Sequence, residues 1–375
     1  MVTNAAAIIP ALLNMTKRLP VREVGTPLIT SMTPRWTEFL RSNGATIHGT
    51  CVMTFGDGNR ELLAARNGAI LAPLSKFGLL SITGEDAAAF LHSQLSSDVN
   101  ALLVSQAQYA SYCSAKGRVL ANFLLWREPA GYSALLSRDL LESMRKRLAM
   151  FVLRSKVKIE DASEQRVVLG ISAGHKAVEH CWGPVQHEAL AVSITEAGAI
   201  VSLGEGRYIA TVETAGAEAA WTQLAADLTP AGEPAWNWLD VRAGIPWVSA
   251  ATQDQFIPQM ANLDLIGAVN FRKGCYPGQE IVARTQYLGK LKRRMFRFHV
   301  ESDAIPVVGS DLFSATISGQ SCGNVINSAA APDGGFDLLA VTQIEAAHAS
   351  ILHLGSIDGP AMNMLDLPYQ VPQAA

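Results

Sequence analysis

The chain has 375 residues, of which 49% are hydrophobic and 17% charged, so we expect two or three globular domains with sizeable cores. Its formal net charge is −3, which argues against a protein that holds nucleic acid through overall positive charge. The five cysteines lie far apart, without a CxxC pair. This spacing excludes a zinc ribbon or a local iron–sulfur ligand set and favours reduced thiols in a cytoplasmic protein.

The first 31 residues differ from a targeting signal. The apolar run "AAAIIPALLNM" is followed by Lys17, Arg18 and Arg22, whereas a secretory signal has its basic residues first. No run reaches membrane-spanning length, so no membrane partner is expected. We predict that residues 1–31 are a dispensable extension.

Residues 75–160 contain signals for both strands and helices. "SITGEDAAAFLHSQLSSDV" predicts strand, turn and helix, with Thr83 and Asp86 at the spacing of a capping box. "YASYCSAKGRVLANFLLWRE" predicts two strands joined by a turn at Lys116–Gly117. "RDLLESMRKRLAMFVL" predicts an amphipathic helix, with apolar residues four apart on one face: Leu140, Met144 and Leu148.

The second half mixes strand and helix patterns and then becomes rich in strands. "RVVLGIS", "LAVSITEAGAIVSL" and "RYIATVE" predict strands, "AEAAWTQLAADL" a helix, and "TPAGEPAW" a linker. From Met295 onwards, short β-rich runs separated by Gly, Asp, Asn and Pro indicate a small terminal barrel or sandwich. The predicted fold class is α+β.

The stretch "NFRKGCYPGQEIVAR", residues 270–284, is the densest motif of the chain. Pro277 suits the first position of a helix over "QEIVARTQYL". Cys275 would then lie just before a helix N-terminus and close to Lys273, and both features favour a thiolate. The alternative is that Cys275 is a small buried residue in a tight turn.

Basic residues are concentrated around this motif. Eight of the thirty lie between residues 272 and 297, with Glu280 as the single acid among them. This cluster could attract an anionic ligand or an acidic partner, or could be a solvated face. In "HKAVEHCWGPVQH", the histidines and cysteine match no familiar metal-ligand spacing, so we predict no metal site.

The motif "KGCYPGQE", residues 273–280, closely resembles the signature of the YgfZ proteins and their mitochondrial Iba57 (Caf17-type) relatives. The resemblance extends through "AGIPWVSAATQDQFIPQMANLDLIGAVNFRKG" and "YCSAKGRVLANF" and covers residues 70 to 370 approximately. It implies the three-domain architecture of the glycine cleavage T-protein around a central folate pocket. We expect a lead-in over 1–50, a folate-binding core over 51–160 and 233–285, an inserted α+β domain over 161–232, and a barrel over 286–375.

The resemblance also implies a function and site residues. Such proteins bind tetrahydrofolate and support the assembly or repair of iron–sulfur clusters, which affects tRNA thiolation indirectly, without direct nucleic-acid binding. Its implied partners are iron–sulfur enzymes and assembly proteins. The folate contacts fall on Trp236 and, where the family has tryptophan, on Phe77. The functional thiol is Cys275, with Lys273 beside it.

One departure from the T-protein pattern affects the expected chemistry. T-proteins carry an acidic pair where this chain has Ala121 and Asn122, so carboxylate assistance to aminomethyl transfer is missing there. The leading hypothesis is therefore a folate-binding accessory protein without catalytic turnover. The alternatives are a folate-dependent aminomethyl or one-carbon transferase and a sarcosine- or dimethylglycine-processing domain.

Overall fold

The computed structural model describes residues 32–317 and 319–372. These residues form an α+β fold, as predicted, in which helices join two large sheets, a two-stranded hairpin and a closed barrel. The predicted extension, residues 1–31, lies outside the described residues. In the described part of the chain, no helix is long and apolar enough to cross a membrane.

The bounds of the elements follow in chain order. The strands are β1 (Thr46–His48), β2 (Cys51–Thr54), β3 (Ile70–Pro73), β4 (Phe77–Thr83), β5 (Ala107–Cys113), β6 (Val119–Glu128), β7 (Gly131–Ser137), β8 (Lys158–Asp161), β9 (Arg166–Ser172), β10 (Val192–Thr195), β11 (Gly198–Gly204), β12 (Arg207–Glu213), β13 (Thr229–Pro230), β14 (Arg293–Val300), β15 (Asp311–Ser314), β16 (Gly323–Ala330), β17 (Phe336–Gln343), β18 (Leu352–Leu354) and β19 (Ala361–Leu365). The helices are α1 (Pro34–Ser42), α2 (Gly58–Arg66), α3 (Ala87–Gln94), α4 (Arg138–Ala149), α5 (His175–Trp182), α6 (Ala217–Ala225), α7 (Glu233–Arg242), α8 (Gln279–Tyr287) and α9 (Ile344–Ala349).

The first large sheet has the strand order β5-β6-β7-β4-β8. Strand β6 is buried from Val119 to Trp126, which explains its nearly continuous apolar sequence. The turn predicted at Lys116–Gly117 joins β5 to β6, and Gly117 has a φ of +71° there. Helix α4 packs against β4 and β8 through the predicted apolar face.

The second large sheet has the order β10-β11-β12-β9-β3-β13. It contains the strands predicted between 166 and 213, and it also includes β3, which lies earlier in the chain. The predicted linker "TPAGEPAW" is wrong. Thr229 pairs with Ile70 as part of β13, and helix α7 begins at Glu233. The predicted domain boundaries stay a prediction.

Helix α7 connects the second sheet to the barrel. It is buried nearly all round, and it packs against α2, β3 and β16. Glu233, its first residue, accepts hydrogen bonds from the backbone N–H groups of Val52 (3.2 Å) and Lys76 (2.9 Å). Burial raises the pKa of this carboxyl. The contacts fix the start of α7 against the segments that contain β2 and β4.

The C-terminal strands close into a barrel with the order β14-β17-β16-β15-β18-β19, which confirms the predicted barrel. Its interior contains Phe298, Leu312, Val325 and Leu338. Closure leaves the barrel without a free sheet edge.

The predicted capping box is wrong. Thr83 ends strand β4, and Asp86 makes no side-chain hydrogen bond to helix α3. Its carboxylate instead accepts the backbone N–H of Lys156 at 2.7 Å. The tertiary contact therefore replaces the local cap.

Candidate functional site

The motif forms an exposed loop that leads into helix α8; we call residues 270–278 the cysteine loop. Gly278 precedes α8 with a φ of +76°, a conformation that glycine adopts readily. A Cβ on Gly278 would lie only 2.3 Å from the carbonyl oxygen of Ser114. The prediction that Pro277 occupies the first helical position is wrong, because the helix begins at Gln279.

Lys273 attaches the cysteine loop to the end of helix α3. Its buried Nζ donates to the carbonyl oxygens of His92 and, at 2.8 Å, of Leu95. Burial lowers the pKa of Lys273 to about 8, whereas the charges of Asp98 and Cys275 favour the protonated form. The Nζ also lies 4.9 Å from the ring centroid of Tyr276. These contacts give Lys273 a positioning role.

Cys275 differs from the other cysteines of the chain. All five are free thiols, and Cys275 is exposed, whereas Cys113 and Cys322 are buried and Cys51 and Cys181 are half-buried. Burial raises the pKa of Cys51 and Cys113 to about 12. Since thiolates are the reactive form, Cys275 is the thiol best placed to meet a partner molecule.

The structure brings to this loop two residues that the sequence analysis missed. The Nε2 of His92 lies 3.7 Å from the position that a Cβ on Gly274 would occupy. The Nδ1 of His92 lies 3.2 Å from Oδ1 of Asp98. His92 and Asp98 occur in "FLHSQLSSDV", more than 170 residues before the cysteine loop. The sequence therefore contained no sign that His92 lies close to Gly274.

A cavity of about 800 Å³ lies where the second sheet, helix α7 and the barrel meet. Four arginines line it: Arg66, Arg207, Arg242 and Arg297. The Nε atoms of Arg207 and Arg297 are buried without a hydrogen-bond partner among the described residues. Glu205 and Asp366 also line the cavity. Orphaned donors are costly unless an acceptor reaches them, so an acceptor group of a ligand would stabilise this wall.

Two of these arginines are held by buried carboxylates. Arg207 pairs with Asp240, and Arg297 pairs with Asp337 at 2.7 Å. The pairs occupy the terminal nitrogens and fix each guanidinium plane. Their orientation is therefore set before a ligand arrives.

The residues predicted to contact folate lie outside the lining of this cavity. Neither Trp236 nor Phe77 is among the described residues that line it. Trp236 is fully buried, and the Arg207 guanidinium lies 4.9 Å from its ring centroid. Phe77 packs edge-on against Trp247 with centroids 4.5 Å apart. Direct stacking of a ligand on either ring stays a prediction.

The positions that are acidic in T-proteins have structural contacts here. Ala121 is buried. Asn122 donates to the carbonyl oxygen of Pro246 at 2.9 Å and accepts the N–H of Val248 at 2.8 Å. Through these two bonds, Asn122 holds the segment after α7 against strand β6. Neither Ala121 nor Asn122 has a carboxylate that could transfer a proton.

The histidine-rich segment forms a hydrogen-bonded pair. The Nδ1 atoms of His175 and His187 lie 2.7 and 3.0 Å from the hydroxyl of Tyr208. Within the described ranges, no group of three or more His, Cys, Asp or Glu residues is arranged to hold a metal ion.

The basic cluster divides into buried and exposed members. Arg294 forms a bidentate pair with Asp264, at 2.6 and 2.9 Å, and Arg297 pairs with Asp337. Four members are exposed: Arg272, Arg284, Lys290 and Lys292. The exposed members therefore lie in the cysteine loop, in α8 and just after α8.

Comparisons with known proteins agree with this architecture. Residues 49–180 match the family of the GCVT N-terminal domain. The tRNA-modifying protein YgfZ of Photorhabdus laumondii subsp. laumondii is 29% identical over 307 residues, which cover 80% of this chain and 92% of that protein.

A solved structure has a similar fold. The glycine cleavage system aminomethyltransferase T of Bartonella henselae superimposes with a TM-score of 0.76 at 18% identity, over 92% of this chain and 99% of that one. The predicted T-protein-like architecture is thereby confirmed. The chain is therefore similar to a YgfZ protein, matches the GCVT N-terminal domain family over residues 49–180, and has the fold of the glycine cleavage T-protein.

Proposed function

We propose that this protein is a cytoplasmic, folate-binding accessory protein for the assembly or repair of iron–sulfur clusters, with Cys275 as its functional thiol. The observation that carries the proposal is an exposed cysteine on a loop that Lys273 holds rigidly against α3. The similarity to a tRNA-modifying protein supports an indirect contribution to tRNA modification. The net charge of −3 supports a role without direct nucleic-acid binding.

The central cavity supports folate as the cofactor. Its volume of about 800 Å³ is within the range of small-molecule sites. The unpartnered Nε donors of Arg207 and Arg297 would hold carboxylate or pterin acceptors, with Tyr109 and Arg242 completing the wall. When bound, tetrahydrofolate carries one-carbon units. The side chains provide binding and orientation, and Trp236 would support Arg207 from behind or contact the pterin itself.

The exposed basic residues support an acidic partner. Arg284, Lys290 and Lys292 are close in sequence to Tyr287 and Leu288, which are 66% and 84% exposed. Arg272 lines the same cavity as Tyr287. Positive charge would steer an acidic iron–sulfur enzyme or assembly protein towards Cys275, and the apolar side chains would contribute contact area.

The main test is complementation of a strain that lacks the gene. Wild-type protein should restore iron–sulfur enzyme activity, and the Cys275→Ser variant should not. The melting temperature and the tetrahydrofolate affinity of the variant should equal those of the wild type. Cys322→Ser is the control for a buried thiol. Full complementation by Cys275→Ser would refute the thiol role.

A second assay addresses the runner-up, a folate-dependent aminomethyltransferase. Purified protein is incubated with tetrahydrofolate and an aminomethyl-lipoyl donor. We expect no turnover, since Ala121 and Asn122 provide no carboxylate. Formation of methylenetetrahydrofolate would favour the transferase.

A further inference from the structure

An apolar turn at the end of helix α4 faces solvent. The run "MFVL", residues 150–153, directly follows the helix. Val152 packs against the main core, whereas Met150, Phe151 and Leu153 are 64%, 45% and 88% exposed. Three large apolar residues within four positions are thus left uncovered, which is a mark of an interaction site when they occur together.

Hydrogen bonds fix the backbone of residues 150–155, which we call the Leu153 turn. The N–H of Ser155 donates to the carbonyl oxygen of Val152 at 2.8 Å. Directly after the turn, the N–H of Lys156 donates to the carboxylate of Asp86 at 2.7 Å. The apolar side chains are therefore presented from a backbone that is attached at both ends.

Leu153 is both strained and exposed. Its φ is +46°, in the left-handed region that leucine adopts only at an energetic cost. Burial of the side chain does not offset this cost, because the residue is 88% exposed. Asparagine would relieve the strain and remove the exposed apolar surface together. The leucine therefore destabilises the isolated chain at this position, and such strain points to a functional contact.

The sequence on both sides of the Leu153 turn is basic. Six basic residues and no acidic residue lie between 145 and 158. Four of them pair with glutamates of the same chain: Arg145, Lys146, Lys156 and Lys158. Arg154 is exposed and Arg147 is half-buried, and neither forms a salt bridge with another described residue. The charge available to a partner is therefore that of these two arginines.

We propose that the Leu153 turn is a docking site for another protein, whose surface has an apolar pocket bordered by carboxylates. Phe151 and Leu153 fill the pocket, and Arg154 pairs with a carboxylate, for which its planar guanidinium is suited. Phenylalanine, methionine and arginine are enriched at protein interfaces. Acidic lipids are bound by clusters of about four or more basic residues, so the two arginines favour a protein over a membrane.

The docking site is separate from the proposed function. None of residues 150–155 lines the central cavity or belongs to the cysteine loop. Its tests therefore need neither folate binding nor a role for Cys275, and failure of the proposed function would leave them unchanged.

The first test places the photo-crosslinking amino acid p-benzoylphenylalanine at position 153 of the full-length protein in cells. One discrete protein adduct is expected, and Arg154→Glu in the same chain should abolish it. The same amino acid at position 307 is the control, because Val307 is also apolar and 70% exposed. The proposal is overturned if no adduct forms, if both positions give the same adduct, or if Arg154→Glu leaves the adduct unchanged.

Affinity and stability, measured together, separate docking from folding. The crosslinked protein is purified and titrated calorimetrically with wild type and variants. Leu153→Asn should weaken binding by about tenfold or more, while its melting temperature equals or exceeds that of wild type, since asparagine tolerates the left-handed backbone. Val307→Asn should retain wild-type affinity. Unchanged affinity in Leu153→Asn would refute the docking site, and a clear fall in its melting temperature would show that Leu153 packs within the chain instead.

Two other occupants of the Leu153 turn have their own assays. Flotation with phosphatidylglycerol vesicles tests a membrane surface, and analytical ultracentrifugation tests a second copy of the chain. We expect no vesicle binding by the wild type and the same sedimentation for wild type and Leu153→Asn. Vesicle binding that Leu153→Asn abolishes would overturn the protein partner in favour of a lipid surface. A wild-type dimer that Leu153→Asn dissociates would overturn it in favour of self-association.

Discussion

The cysteine loop and the central cavity are built in opposite ways. The loop is a continuous stretch, residues 270–278, which presents a thiol to solvent. The cavity is assembled from side chains between residues 65 and 368, among them four arginines. Reactivity can thus be specified by one short segment, whereas a binding site for a larger ligand needs surfaces that the fold brings together.

The two regions also use positive charge differently. Around the loop, exposed cations such as Arg272 and Lys290 form no salt bridge with another described residue, so their charge can attract a partner. In the cavity wall, Arg207 and Arg297 pair with Asp240 and Asp337, and their buried Nε–H donors have no partner among the described residues. The loop is therefore suited to long-range attraction and the cavity to oriented hydrogen bonding.

The largest effect is expected from a change that breaks the loop without touching the cavity. Gly278→Ala places a Cβ 2.3 Å from the Ser114 carbonyl oxygen at a φ of +76°. We expect a loss of about 3 kcal/mol or more in the free energy of unfolding, from positive-φ strain and steric overlap together. Urea unfolding measures the loss, and tetrahydrofolate affinity of the remaining folded protein should be retained.

A matched glycine separates strain from overlap. Gly267 has a φ of +78°, but a Cβ there would have no neighbour within 4 Å. Gly267→Ala should therefore cost about 1 kcal/mol, from backbone strain alone. Equal losses at the two glycines would show that the contact with Ser114 relaxes freely.

The next effect concerns the cavity alone. Arg297→Lys keeps the charge opposite Asp337 but removes the Nε donor. Tetrahydrofolate binding should weaken by about 1.5–3 kcal/mol, the range for a hydrogen bond to a charged group, as measured by calorimetry. Arg294→Lys, three residues earlier in β14, is the control, because Arg294 pairs with Asp264 and does not line the cavity. Unchanged affinity in Arg297→Lys would contradict the proposed donor role.

This contrast explains what the sequence could predict. The motif around Cys275, the helix with Leu140, Met144 and Leu148, and the terminal barrel depend on local pattern, so they were predictable. The proximity of His92 to Gly274 and the orphaned donors of Arg207 and Arg297 depend on distant segments. Asp86 was misassigned because its carboxylate accepts the backbone N–H of the distant Lys156. Pro277 was misassigned because Gly278, with a positive φ, separates it from the start of α8.

A smaller effect tests how the loop is anchored. Burial lowers the pKa of Lys273 to about 8, below the value of an unfolded lysine, so the unfolded state binds more protons between about pH 8 and pH 10. Stability should therefore rise with pH in this interval relative to Lys273→Arg, which stays protonated. We expect a relative gain on the order of 1–2 kcal/mol in urea unfolding. Parallel pH profiles would mean that Lys273 stays protonated in the folded protein.

The smallest effect decides whether Trp236 belongs to the cavity. Its Nε1 is buried without a partner among the described residues, whereas Nε1 of Trp238, on the same helix, donates to Asp337 at 3.1 Å. If the Trp236 indole donates to a folate that reaches past Arg207, Trp236→Phe should weaken tetrahydrofolate binding by about 1 kcal/mol. Trp238→Phe should lower the melting temperature instead, with little change in affinity, because its bond is internal. Unchanged affinity in Trp236→Phe would mean that the tryptophan only supports the arginine from behind, and that hydrogen bonding in the cavity depends on its guanidinium groups.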